Sequence, residues 1–469
     1  MSEVSMESAS FRDRNARVFY SGGKVYRGLG SQALSEWEAL SGTSFFTQFS
    51  GEGSLVQTER VNAEELCSNP ALASEWSALL RHETVQFISY PYEWAFGMLK
   101  DAALLQLDLL SAALDEGMIL KDSSAFNVQW RGAHPVFIDI ASFEKLRPGE
   151  PWIGYRQFCQ MFLFPLMLQS YKDVSFHALL RGCIDGIEPE TFNKLLGARD
   201  LLRPGVLLHV FLQAKVQTGY AETKKDVKKD LKAAGFSAEL IKANVKGLKK
   251  LVSRLTWQRS RSEWSNYAKE HSYTDVDFET KKRFVGAAVD SRHSRLTWDL
   301  GCNTGTFSRI AAKNSDCVVA MDADQLAIEF LYQELKKEGN GTIIPLVGNI
   351  ADPSPNLGWR GMERKALSER GKPDLTLCLA LIHHVVITAN IPLREFIHWL
   401  SVVTNSLVIE FVTKDDPMVK KLLRNKVDNY ADYELPFFEE SMSEFFNIDK
   451  REELVSGSRI LFFATSKIQ

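Results

Sequence analysis

Residues 296–310, LTWDLGCNTGTFSRI, run from an apolar stretch into an acid, Asp299, then through two glycines four apart, Gly301 and Gly305, into apolar residues at helical spacing. A glycine-rich turn of this kind, between a strand and a helix of a parallel sheet, is where ligands bind. The dinucleotide pattern Gly-x-Gly-x-x-Gly lets backbone approach a pyrophosphate. Here Asn303 takes the place of the second glycine, and an acid stands two residues before the first. A carboxylate there opposes a pyrophosphate and suits a ligand that carries an ammonium group. Twenty-one residues after Gly301, Asp322 closes the apolar run CVVAMD. An acid in that place accepts hydrogen bonds from both hydroxyls of a ribose. A nucleoside joined to an amino acid meets both demands, which points to S-adenosyl-L-methionine.

The methyl group of such a sulfonium is already activated, so catalysis is chiefly alignment, with a base where the acceptor is oxygen or nitrogen. His383 and His384 fall just beyond the apolar run LTLCLAL, where an acceptor is expected. One of them is the candidate base; the other readings are that they hold the cofactor or cap the strand. Glu410, ending SLVIE, orients a histidine, binds an acceptor hydroxyl, or supports either from behind.

DLGCNTGTFS, MDAD and PDLTLCLALIHHV together resemble the first, second and fourth-strand motifs of class I S-adenosylmethionine-dependent methyltransferases, over about residues 295–469. The resemblance implies that Asp299, Gly301, Asn303 and Gly305 line the methionine end and that Asp322 binds the ribose. It places Asn349 and Ile350 of VGNIAD by the adenine, where the family usually has an acid; Asp352 follows a little later. No Asn-Pro-Pro-Tyr motif follows the fourth strand, which argues against methylation of amides or of base amino groups. The acceptor expected is a small molecule or glycan-type metabolite, methylated at oxygen or nitrogen. The alternatives are a non-catalytic, cofactor-binding regulator and a bifunctional protein with an active phosphotransferase.

That last alternative comes from residues 117–143, GMILKDSSAFNVQWRGAHPVFIDIASF. Asp122, Asn127 and Asp139 resemble the catalytic loop and metal-binding strand of protein-kinase-like folds, the aminoglycoside phosphotransferases included. In that family these residues orient a hydroxyl and hold Mg²⁺. Leu120, Lys121 and Ala141 depart from its pattern, and only Gly22 and Gly23 suggest a phosphate-covering loop. The best ion pair on offer is Lys24 or Arg27 with Glu36 or Glu38. The expectation is a degenerate kinase-like scaffold without phosphotransfer or a metal site. VYRGL, NVQWRG, PVFID and IEFVTKDDPMV extend the resemblance to the two-part methyltransferases related to a bacterial nodulation protein.

The elements that must position these residues divide by texture. The 469 residues exceed one ordinary domain. We expect a flexible tail (1–15), a kinase-like α+β domain (16–217) that opens on a hairpin around Ser21-Gly22-Gly23, a basic helical linker (218–265) and an α/β methyltransferase domain (266–469). The last has a Rossmann-like, mostly parallel sheet covered by helices, because its strands read as continuous apolar runs. Its final two strands are expected to add an antiparallel edge. In the linker, ten Lys or Arg face three acids between Lys224 and Arg254. Ile241, Val245, Leu248, Val252 and Leu255 form one helical stripe there, and Gly235 ends a preceding helix. That reads as a docked helix with solvated lysines rather than a surface for an anionic substrate.

The net charge of −3 gives no pull toward nucleic acid or membrane. Six cysteines without metal spacing read as reduced core thiols of a cytoplasmic protein. The most apolar segment, residues 158–170, is too short to span a bilayer and, containing Pro165, reads as a buried helix with a kink or break.

Overall fold

A computed structural model describes residues 4–62, 65, 75–211, 237–257, 274–424 and 429–468. Among these, the first half opens on an antiparallel sheet of five strands: β1 (Ser5–Met6), β2 (Ala16–Ser21), β3 (Lys24–Leu29), β4 (Thr58–Val61) and β5 (Ala78–His82), in the order β1-β2-β3-β5-β4. The expected hairpin is β2–β3. The helix Ser31–Ser41 follows, buried through Trp37 and Leu40. The long helix Phe96–Asp115 buries most of its residues, since its apolar positions recur around the whole circumference. Beyond it lie two short antiparallel pairs, β6 (Met118–Leu120) with β9 (Phe143–Lys145) and β7 (Val128–Arg131) with β8 (His134–Phe137). The helix is not broken at Pro165: it continues from Tyr155 to Lys172 through a π-helical turn, Cys159–Leu163, that ends just before the proline. Proline supplies no N–H to the preceding turn, and a π turn absorbs the mismatch.

Part of the expected tail is ordered. Ser5–Met6 pairs with β2, and Arg12 donates to both Glu363 oxygens at 3.0 and 2.6 Å. The Arg12–Glu363 contact spans 351 positions, so nothing local in the sequence predicts it.

The helix Ala238–Arg254 lays its apolar stripe on the helix Phe96–Asp115. Lys242 reaches Asp115 at 2.6 Å, and Lys249 also pairs with Asp108, so acids of that helix answer two of the lysines. Lys224 to Lys232 and Gly235 lie outside the described residues.

The second half is a seven-stranded sheet: β10 (Ser294–Leu300), β11 (Ser315–Asp322), β12 (Ile343–Val347), β13 (Leu375–Cys378), β14 (Ser406–Val412), β15 (Phe446–Glu453) and β16 (Arg459–Ser466). The order is β12-β11-β10-β13-β14-β16-β15. All neighbouring pairs from β12 to β14 are parallel; β16 runs antiparallel to both β14 and β15. The last two strands thus form the expected antiparallel edge, with β16 inside and β15 outermost. The chain reverses direction of travel across the sheet between β10 and β13, which opens a crevice beyond their carboxyl ends. One hydrophobic core runs through both halves. Among the described residues no helix is long and apolar enough to cross a membrane.

Candidate functional site

β10 ends at Leu300, and its continuation makes the turn that the glycine spacing predicts. Gly301 has φ +75° and Gly305, which caps the helix Thr306–Ala311, has φ +81°. Both lie in the left-handed region that glycine enters without strain. A Cβ on Gly305 would stand 2.6 Å from a Leu331 methyl carbon, and one on Gly301 would stand 3.3 Å from Leu381. Gly301 thus faces, across a narrow gap, the loop that follows β13.

Asp322, at the end of β11, closes the other side of the turn. Its Oδ2 accepts from the Asn303 N–H at 2.8 Å and its Oδ1 from the Asp324 N–H at 2.9 Å. A carboxylate has about four acceptor positions, so capacity remains beside these backbone donors. Burial raises the Asp322 pKa, against the pull of those backbone donors. Asp324 caps the next helix, Gln325–Glu338.

These residues open on a cavity of about 590 Å³, within the range of cofactor sites. Gly301, Asn303, Asp322, Asn349 and Ile350 all line it, together with Leu379, Ala380, Leu381 and His384 from beyond β13. Asn349 Oδ1 accepts from the Ala351 N–H at 3.0 Å, fixing the loop after β12. Asp352 is turned to Arg181 of the first half, in a bidentate pair at 2.9 and 3.0 Å, so it does not replace the expected acid. Asp299 and Gly305 are not part of the lining; they stand behind it. Asp299 is buried with Oδ2 accepting from Ser308 Oγ at 2.6 Å, and burial pushes its pKa up to about 6.

The two adjacent histidines part company. His384 lines the cavity; burial lowers its pKa to about 4, so it is neutral at pH 7 and a weaker base than an ordinary imidazole. His383 is fully buried, does not line the cavity, and has no hydrogen-bond partner for either ring nitrogen among the described residues. Its ring packs on His384 with centroids 4.2 Å apart, and burial, with the charge of nearby Arg459 adding to it, drives its pKa well below the ordinary imidazole value. Glu410 is also withdrawn: Lys281 Nζ at 2.7 Å, the Ala380 N–H at 2.9 Å and Arg459 at 3.2 Å take its carboxylate. The arrangement can therefore hold a nucleoside–amino-acid ligand between the two loops, with His384 and apolar side chains facing what lies beyond it.

Sequence reasoning missed Trp257, Gln325, Ala380 and Leu381 as cavity residues. The last two belong to the fourth-strand motif and were visible as such; Trp257 sits at the end of the linker helix and carries no local signal.

In the first half the three expected polar residues do converge. Ser142 Oγ donates to Asp139 Oδ2 at 2.5 Å and accepts from Asn127 Nδ2 at 3.2 Å. Asp122 is raised in pKa by burial and by Asp139, against its bond to the Ser124 N–H. Arg27 pairs with Asp139 at 2.7 Å, not with Glu36 or Glu38. Glu38 pairs with Arg60, and Glu36 accepts from the Lys145 N–H.

No protein-family model matches the chain. It is 32% identical over 458 residues to the nodulation protein NoeA of Rhizobium meliloti (strain 1021), covering 97% of this chain and 95% of that one. Among solved structures, WbdD matches at 19% identity over 46% of this chain and 46% of its own, with a TM-score of 0.30. The N-methyltransferase NodS from Bradyrhizobium japonicum WM9 matches at 12% over 41% of this chain and 97% of its own, TM-score 0.30. The magnesium protoporphyrin IX methyltransferase ChlM from Synechocystis PCC 6803, solved with S-adenosylhomocysteine, matches at 17% over 44% of this chain and 93% of its own, TM-score 0.31.

Proposed function

The chain belongs to the family of the nodulation protein NoeA, and from that premise we propose that it is an S-adenosylmethionine-dependent methyltransferase of a small-molecule or glycan-type acceptor. The observation that carries this reading is the placement of Asp322 opposite the Gly301 turn on one cavity, at the reversal point of a parallel sheet. S-adenosylmethionine supplies an activated methyl group when bound. The chain's own residues supply position. Asp322 offers two oxygens to the ribose hydroxyls, and Asn349 and Ile350 form the wall for the base. The buried Asp299 carboxylate, behind the Gly301 turn, favours an ammonium group at the methionine end.

His384 is the side chain placed to accept a proton from an oxygen or nitrogen acceptor. His383 and Glu410 are assigned to holding the loop after β13, since neither faces the cavity. The first half is read as a degenerate kinase-like scaffold, and the pairing of Arg27 with Asp139, the acid that would hold metal, supports that reading.

Calorimetric titration of the full chain with S-adenosylhomocysteine, followed by a labelled-methyl assay on cell extracts, tests the reading. Binding with methyl incorporation supports an enzyme, and absence of binding refutes the cofactor assignment. Binding without incorporation favours a regulatory, cofactor-sensing protein, a reading that the withdrawal of His383 and Glu410 also suits.

A further inference from the structure

The first half has no reaction of its own in this reading, yet one short stretch of it, residues 173–181, is bonded to two residues that line the cavity and to the segment that directly follows a third part of its lining. Asp173 takes the left-handed C-cap position of the helix Phe164–Lys172, and its Oδ1 accepts from Trp257 Nε1 at 2.7 Å. Ser175 Oγ accepts from Gln325 Nε2 at 3.0 Å. Arg181 donates to both Asp352 oxygens and to the carbonyls of Asp352 and Pro353, at 2.9 to 3.3 Å. Trp257 and Gln325 line the cavity themselves, and Asn349 and Ile350 line it just before Asp352.

The middle contact is directional. His177 Nε2 lies 2.8 Å from the Trp94 carbonyl and Nδ1 lies 2.8 Å from Ser175 Oγ. A carbonyl only accepts, so Nε2 carries the proton and Nδ1 accepts from the Ser175 hydroxyl. That turns a Ser175 lone pair to the Gln325 amide. The chain Gln325 to Ser175 to His177 to Trp94 is satisfied in one sense only, and burial keeps His177 neutral with a pKa of about 4.

Other bonds between the halves end away from the cavity: Glu93 with Arg370 at 2.6 and 2.7 Å, and Asp101 with Tyr332 and Lys336 at 2.5 Å. They hold the halves together independently of residues 173–181.

Resting on the cofactor reading above, we infer that Asp173, Ser175 and Arg181 are positioning residues for the adenosine half of the cofactor, so that the first half sets the affinity of the second for its ligand. The test uses the full chain and S-adenosylhomocysteine in a calorimeter. Ser175→Ala with Arg181→Ala should weaken binding about tenfold, the scale on which the supports of a binding group act, with little change in Tm. In a methyl-transfer assay KM for S-adenosylmethionine should rise while kcat holds. The charge-swapped pair Arg181→Asp with Asp352→Arg should regain most of what Arg181→Asp alone loses. Asp101→Ala is the control: Tm should fall and affinity should not. Equal affinity in the folded double variant, or an equal loss in Asp101→Ala, overturns the inference while leaving the cofactor reading intact. A wild-type chain that does not bind S-adenosylhomocysteine overturns both.

Discussion

Arg27 Nη1 lies 2.7 Å from Asp139 Oδ1, with 11% and 25% of the two side chains exposed. In a phosphotransfer site the equivalent acid holds a magnesium ion; here a side-chain cation already takes one oxygen and Ser142 Oγ the other. ATP with Mg²⁺ should therefore leave the melting temperature unchanged. A Mg²⁺-dependent rise of several degrees, lost in Asp139→Asn, would show that Arg27 yields its place and that this chain carries two enzymes.

The same pair predicts a stability effect. Burial opposes ionisation of Asp139, but Arg27 and Ser142 outweigh it and hold the carboxyl below its ordinary value of 3.8. A carboxyl depressed in the folded state contributes its stability above the unfolded value and loses it as pH falls through the folded one. Asp139→Asn should cost about 2 kcal/mol at pH 7, as for a mostly buried pair stripped of one partner. The difference from wild type should shrink below about pH 4. Chemical denaturation of both proteins across pH measures this, and a cost that persists unchanged at pH 3 would remove the ion pair as its cause.

Asp322→Ala should weaken S-adenosylhomocysteine binding by about 2 to 4 kcal/mol, the worth of two charge-assisted hydrogen bonds. Some stability should go as well, because the Asn303 and Asp324 N–H groups lose their acceptor. Calorimetry on the folded variant decides: unchanged affinity removes Asp322 from the ribose.

Asp299 titrates near pH 6 in the folded chain, raised by burial from 3.8. Between those values the native state holds a proton that the unfolded chain has released. On this group alone, stability therefore rises as pH falls through the window. Cofactor affinity should move the other way, since an ammonium group at the methionine end is favoured by the carboxylate and not by the acid. The dissociation constant of S-adenosylhomocysteine should thus rise as pH drops below about 6. Asp299→Asn should bind more weakly and lose that dependence.

The turn after β10 was legible because its constraints are local. Asp299, Gly301 and Gly305 lie within seven residues, and strands buried on both faces read as unbroken apolar runs. What was not legible depends on direction or distance. Neighbouring residues on a helical turn point about 100° apart, so no sequence argument could say that His384 faces the cavity and His383 the core. Arg27 meets Asp139 across 112 positions, and Arg181 meets Asp352 across 171. Trp257 reaches the cavity only because its helix docks on the first half.

Glu410 illustrates how burial reassigns a polar residue. Lys281 and Arg459 both pair with its carboxylate, and Arg459 in turn pairs with Asp416 at 2.9 Å, all four side chains 3% exposed or less. Two cations and two anions balance. Glu410 also accepts from the N–H of Ala380, a non-glycine residue at φ +51° in the loop that lines the cavity. Such a backbone state costs on the order of 1 to 2 kcal/mol and needs an external tether. If Glu410 were the catalytic base, Glu410→Gln would abolish kcat and leave Tm intact. The buried balance predicts the reverse emphasis. Glu410→Gln keeps an oxygen for Ala380 but leaves one net positive charge in the core, at a cost of about 3 to 5 kcal/mol. Adding Lys281→Gln restores neutrality, so the double variant should regain more than half of the lost stability and, with it, cofactor binding. A double variant no more stable than Glu410→Gln alone would mean that the carboxylate matters for something other than charge balance and would return Glu410 to the list of catalytic candidates.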